Sequence, residues 1–278
     1  MPVKSVDTAR TLSKREAELV SWLEAERLLT VRSADVRKAL GWSQRATDQV
    51  LSALTNKGWV RRMARGSYET ILAETGGWSI PNPWAALSTW KQRYYVAFQS
   101  AAYELGLTPD RPSSVQTCVP VGAQRPRAWD GMPIALIYTP SFVADGIRVD
   151  QLHKFPVWIA TKEKVIVEAA ANPGRVGGVL GLARILGRAS KDLVWNDVVS
   201  LAAEHPNGRP ALRRLATLIE ILGIDVPRIL ERAAHARPGE SPLFLADRRT
   251  HGAQGARNQD WQVIVNIDPA SIEDELRR

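Results

Sequence analysis

Over residues 13–70 the apolar positions recur first at three- and four-residue spacing and then in alternation. Ser13-Lys14-Arg15-Glu16 has the spacing of a capping box. Behind it, Ala17, Leu19, Val20, Leu23 and Leu28, with Trp22 beside them, mark the inward face of a helix. Thr30-Val31-Arg32 reads as a short strand. Ser33 stands where it can cap a second helix with Val36, Ala39 and Leu40 inward, and Gly41-Trp42 ends that helix. Ser43 can cap a third, with Ala46, Val50, Ala53 and Leu54 on one side. Gly58 occupies the place where a helix C-terminus takes a left-handed residue. Trp59–Arg62 and Ser67–Thr70 then read as two strands around the turn Ala64-Arg65-Gly66.

Helix, tight turn, helix and basic hairpin is the order of a winged helix-turn-helix. In that fold the second helix of the motif enters the DNA major groove and the hairpin touches the backbone. Its outward face, once the apolar side is turned in, carries Gln44, Arg45, Thr47, Asp48, Gln49 and Ser52. Arg and Gln pair with base edges, and Ser or Thr bond to phosphate or base. Gln44, Arg45, Thr47 and Gln49 are therefore the expected base readers, with Ser43 capping the helix and able to meet a phosphate. Arg61, Arg62 and Arg65 suit phosphate contact from the hairpin, with Lys57 nearby.

Beyond Glu74-Thr75-Gly76-Gly77 and Pro81-Asn82-Pro83 the pattern restarts, which places a linker at 76–83 between domains at 1–75 and 84–278. Trp84–Gly106 is helical in spacing. Ser114–Val121, Ile134–Tyr138, Gly146–Val149 and Val157–Ala160 read as strands, with a basic turn or hairpin tip over Gln124–Gly131. Helices follow over Lys162–Ala171, Gly177–Gly187, Leu193–Glu204, Arg209–Leu222 and Pro227–Ala236. Gly239–Asn258 is a loop-rich basic segment, and Trp261–Asn266 is a late strand. The expected fold is mixed α/β, a winged helix-turn-helix followed by a larger α/β domain.

Charge sharpens this picture. The net charge is +8, and residues 1–70 hold 13 of the 37 Lys/Arg against 8 of the 29 Asp/Glu. A quarter of the chain thus carries most of the excess, which points to nucleic acid rather than to a membrane surface. Cys118 is the single cysteine, in an apolar run, and reads as a small buried residue. Met1–Arg10 lacks the apolar core of a signal peptide, and no apolar run approaches a membrane span. The expected location is the cytoplasm.

Enzyme chemistry finds little footing. His153, His205, His235 and His251 are far apart, and no metal-binding spacing or G-x-S-x-G elbow occurs. Gly174–Gly181 lacks the Lys-Ser/Thr of a phosphate loop and reads as a glycine-rich entry to a tightly packed helix. Asp145, Asp150 and Glu163, with Lys162 or Lys164, are the loose carboxylate set a nuclease would need, without its spacing. Gly66-Ser67 falls in the hairpin, and no Asp-x-Asp pair follows for a nucleotidyltransferase. The chain is expected to be no enzyme and to need no cofactor or metal.

Several segments taken in order resemble the AbiEi-type antitoxins of bacterial abortive-infection (type IV) toxin–antitoxin systems. Lys57–Arg62 and Arg65–Tyr68 resemble the end of that family's N-terminal domain. Tyr94–Leu107 is similar to the helix that opens its C-terminal domain. Ala160–Ala171 with Gly177-Gly178 is similar to its central helix and glycine turn. Leu212–Gly223 resembles its late helix, and Trp261–Asn266 its terminal strand. One departure is Glu104-Leu105-Gly106, where the family often has a histidine before the glycine. The resemblance implies a protein that binds inverted repeats in its own promoter, represses that operon, and counters an AbiEii-type nucleotidyltransferase toxin directly or indirectly. Two other classes remain in view: a stand-alone winged-helix regulator with a ligand-sensing C-terminal domain, and a winged-helix protein-interaction module.

Overall fold

The computed structural model describes residues 12–26, 28–71, 82–129, 131–225, 227–235, 237 and 239–276. The polar opening Met1–Arg10 and the break at Glu74–Gly77 lie outside the described residues. The protein is mixed α/β, with three sheets among the described residues. The chain divides into two compact units, residues 1–91 with 124–132 and residues 92–123 with 133–278.

In the first unit the described elements are α1 (Lys14–Ala25), β1 (Thr30–Arg32), α2 (Ser33–Leu40), α3 (Gln44–Asn56), β2 (Val60–Ala64), β3 (Ser67–Thr70) and α4 (Pro83–Thr89). Both halves of the capping box are formed at Ser13 and Glu16. β1, β3 and β2 make an antiparallel sheet in that order. Its core joins Leu19 and Leu23 of α1, Val36 of α2, and Val50, Leu51 and Leu54 of α3 to Val31, Val60 and Tyr68 of the sheet. Leu51 is fully buried and continues the inward stripe of α3. Ala39 of α2 is exposed rather than inward. The cap expected of Ser33 is absent: Arg32 is the N-cap with no side-chain bond, and the Ser33 N–H instead donates to the Gly66 carbonyl at 2.9 Å. That closeness, with φ +72 at Gly66, leaves a Cβ there only 3.0 Å from Ser33 Oγ, so the hairpin turn requires glycine.

The helical spacing of Trp84–Gly106 conceals a break. α4 ends at Thr89, Trp90 turns extended, and β4 (Tyr95–Val96) enters a sheet before α5 (Phe98–Glu104). Both residues of β4 are buried, so apolar side chains on both faces of a strand imitated one face of a helix. The division also differs from the expected domain boundary, since α4 and residues 124–132 group with the first unit. Within 124–132, Trp129 is fully buried and meets Trp90 edge-on at 4.7 Å.

The second unit continues with β5 (Val115–Pro120), β6 (Ile134–Thr139), β7 (Ile147–Leu152) and β8 (Phe155–Ala160). The sheet order is β6-β5-β4-β8-β7. β5 and β6 are parallel, so Gln124–Gly131 belongs to a crossover and is not a hairpin tip. The helices are α6 (Lys162–Ala171), α7 (Gly178–Ala189), α8 (Trp195–Glu204), α9 (Gly208–Ile221) and α10 (Arg228–Ala234). At the start of α7 a Cβ on Gly181 would stand 1.7 Å from the Val176 carbonyl oxygen, so close backbone packing demands that glycine. The loop-rich basic segment contains β9 (Leu243–Phe244), α11 (Arg248–His251) and β10 (Ala256–Asn258). With β11 (Val263–Val265) the strands form a small sheet, and α12 (Pro269–Glu273) follows. No helix among the described residues is long and apolar enough to cross a membrane.

Candidate nucleic-acid interface

Gly41, at φ 66, ends α2, and Ser43 opens α3 with extended backbone and a hydroxyl that accepts from the Ala46 N–H at 3.3 Å. One amide is thereby satisfied, while the positive end of α3 stays open beside the exposed Ser43. Gln44, Arg45, Asp48, Gln49 and Ser52 are exposed along α3 and, with Asn56, line a shallow hollow of about 740 Å³.

Thr47 is a correction to the expected base readers. It is fully buried, and its hydroxyl donates to the Ser43 carbonyl at 3.0 Å. A threonine one turn past the cap satisfies its hydroxyl on the preceding turn and so fits the inward face. Two of the expected phosphate contacts are also engaged inside the unit. Lys57 Nζ lies 2.6 Å from Glu16 Oε2, joining the end of α3 to the start of α1. That bond, with the Ser13 amide, holds the Glu16 carboxyl below the usual carboxylate range. Arg61 faces Glu69 across the hairpin at 3.4 Å, with only a quarter of its side chain exposed. Arg62 and Arg65 are exposed and make no ion pair among the described residues.

Arg62 and Arg65 line a cleft of about 590 Å³ together with Gln44, Asp48 and Ser52 of α3. Arg32, Arg37 and Lys91 complete the same cleft, and the sequence reading did not single them out. Arg37 had a readable signal, since it lies off the Val36–Leu40 stripe of α2. Lys91 had none, because it is distant in sequence. The cleft thus gathers five cations around one carboxylate, Asp48. Across it Gln44 Nε2 donates to Asp48 Oδ2 at 2.7 Å, and Arg37 donates to the Gln44 amide oxygen. Burial raises the pKa of the Tyr68 hydroxyl in the cleft wall, the charge of Arg62 opposes that shift, and Asp48 adds to it.

The titratable groups of the second unit are arranged differently. Tyr95 donates to Glu168 Oε1 at 2.5 Å, and Lys164 Nζ lies 3.9 Å from the same oxygen. Lys164 also donates to the carbonyls of Val143 and Asp145 at 3.1 and 2.9 Å. Burial pushes the Glu168 carboxyl up to about 7 despite Lys164 and Tyr95, and Glu168 Oε2 has no hydrogen-bond partner among the described residues. Burial, reinforced by the charge of Glu168, pushes the Cys118 thiol up to about 12. Of the loose carboxylate set, Asp145 and Glu163 line a cleft of about 250 Å³, and Asp150 pairs with Arg148 at 3.0 Å. Among the described residues no group of three His, Cys, Asp or Glu is placed to hold a metal ion.

No family model matches the chain, and no curated protein matches it. Among solved structures, the fold is similar to that of the RV2827C protein from Mycobacterium tuberculosis, known from a crystal structure. The TM-score is 0.69 at 17% sequence identity, over 100% of this chain and 99% of that one. Likeness at that identity concerns the fold alone.

Proposed function

We propose that α1 through β3 act as a winged helix-turn-helix that binds double-stranded DNA, with α3 in the major groove and the β2–β3 hairpin on the backbone. The observation that carries this reading is the cleft beside α3, where Arg32, Arg37, Arg62, Arg65 and Lys91 converge without an ion-pair partner among the described residues. Unpaired cations flanking an exposed polar helix are what a phosphate backbone requires. Arg45 and Gln49 are the base readers in this account, Ser43, Arg62 and Arg65 hold phosphates, and Thr47 serves the core. The wider role follows the sequence resemblance: an antitoxin that represses its own operon through inverted repeats and counters an AbiEii-type nucleotidyltransferase toxin, directly or indirectly. The reading assigns no catalysis, cofactor or metal to the chain and places it in the cytoplasm, on its DNA.

The test is a gel-shift titration of the full chain against the duplex upstream of its gene, with a scrambled duplex of equal length as competitor. A specific, salt-sensitive shift that an Arg45→Ala/Arg62→Ala variant loses supports the reading. No shift beyond the scrambled control counts against it. Co-expression with a neighbouring toxin gene tests the second half, where rescue of growth is expected and undiminished toxicity would contradict it.

A further inference from the structure

We infer that Asp48 sets the sequence specificity of the α3 face by accepting from a cytosine amine and repelling phosphate. The inference rests on the DNA reading above and adds to it a residue outside the expected base readers.

Asp48 is exposed and shares its cleft with five cations, yet no cation lies within ion-pair distance of it among the described residues. A flexible carboxylate in such a place would swing to an arginine. Asp48 is instead tethered, because Gln44 Nε2 holds Oδ2 at 2.7 Å and Arg37 holds the other end of Gln44. The relay runs from α2 through the first residue of α3 to a position one turn further along. It fixes the carboxylate on the face that Ser52 continues at the next turn.

Oδ1 has no hydrogen-bond partner among the described residues. An ionised carboxylate only accepts. In the major groove, guanine O6 and N7 and thymine O4 are acceptors too and are disfavoured opposite it. The cytosine N4 amine donates, whereas the adenine amine sits beside the N7 acceptor. The same charge opposes any phosphate that enters the cleft out of register, and so lowers affinity for unrelated sequence. A single acid among unpaired cations therefore trades general affinity for discrimination.

The experiment selects duplexes from a randomised pool with the full wild-type chain. It then measures binding of the selected duplex, a version with one cytosine replaced, and a scrambled duplex, using wild type, Asp48→Ala and Gln44→Ala. Circular dichroism confirms that each variant is folded. Wild type is expected to enrich one cytosine and to lose roughly tenfold in affinity when it is replaced. Asp48→Ala is expected to bind the scrambled duplex about threefold tighter and to be indifferent to the cytosine. Gln44→Ala, which frees the carboxylate, is expected to keep part of the discrimination. The inference is overturned if Asp48→Ala weakens all three duplexes alike or leaves the cytosine preference intact. It is overturned equally if Gln44→Ala, with the carboxylate still present but untethered, leaves the preference undiminished. A wild-type chain with no salt-dependent binding to any duplex would instead sink the DNA reading itself.

Discussion

The arginines of the two units are used in opposite ways. In the second unit Arg213 is almost wholly buried, donates to the carbonyls of Trp261, Ser241 and Gln262, and pairs with Glu240. Arg209 bonds the same glutamate, and Arg184 pairs with Glu275 and Asp110. These cations hold the chain together, since burying a guanidinium without such partners would be prohibitive. In the first unit Arg45, Arg62 and Arg65 are exposed and without ion pairs among the described residues. Their charge contributes little to folding and remains available to an anion. Net charge alone does not separate the two uses; pairing and exposure do.

The contrast can be broken from either side. The largest expected effect is Arg213→Ala, which strips several buried carbonyls of their donor. A loss of about 3–5 kcal/mol in urea unfolding is expected, with DNA affinity of the folded fraction unchanged. A loss under 1 kcal/mol would mean that the buried arginine is not structural.

Next comes the pH dependence of Glu168. Its folded-state pKa, about 7, is above the ordinary value of 4.5, so the folded protein binds this proton more tightly. Stability from this group is full below the unfolded pKa and is lost as pH rises through about 7. Glu168→Gln should remove that fall and be the more stable chain above neutrality, by on the order of a few kcal/mol. Equal slopes in wild type and variant between acid and neutral pH would contradict the assignment.

On the DNA side, Arg45→Ala should lose about 1–3 kcal/mol of sequence preference with no change in thermal stability. The smallest effect is that of Lys57→Ala, which should cost about 1 kcal/mol of stability by removing the partner of Glu16. It should leave the salt dependence of binding where it was. A flattened salt dependence would return Lys57 to the phosphate contacts.

Much of the first unit was legible because its signals are local. Caps at Ser13 and Ser43, left-handed glycines at Gly41 and Gly58, and helical spacing over 44–56 each act within a turn or two. The misses come from what local signals cannot carry. Thr47 is polar by type but inward by position, and its hydroxyl is satisfied by the backbone. Lys57 and Arg61 are basic like their neighbours, and only tertiary contact with Glu16 and Glu69 shows them engaged. The fully buried β4 matched helical spacing because both its faces are covered, and the parallel pairing of β5 with β6 is invisible to a turn-based reading. Lys91 joins the cleft from beyond the sheet, at a distance in sequence that no spacing rule spans.

The account turns on Arg62 and Arg65 being phosphate contacts. The direct measurement is the affinity of the full chain for its selected duplex across a salt series, beside the Arg62→Ala/Arg65→Ala variant. The account predicts that the slope of log affinity against log salt falls by about two in the variant. An unchanged slope would contradict it and return the cleft to solvent.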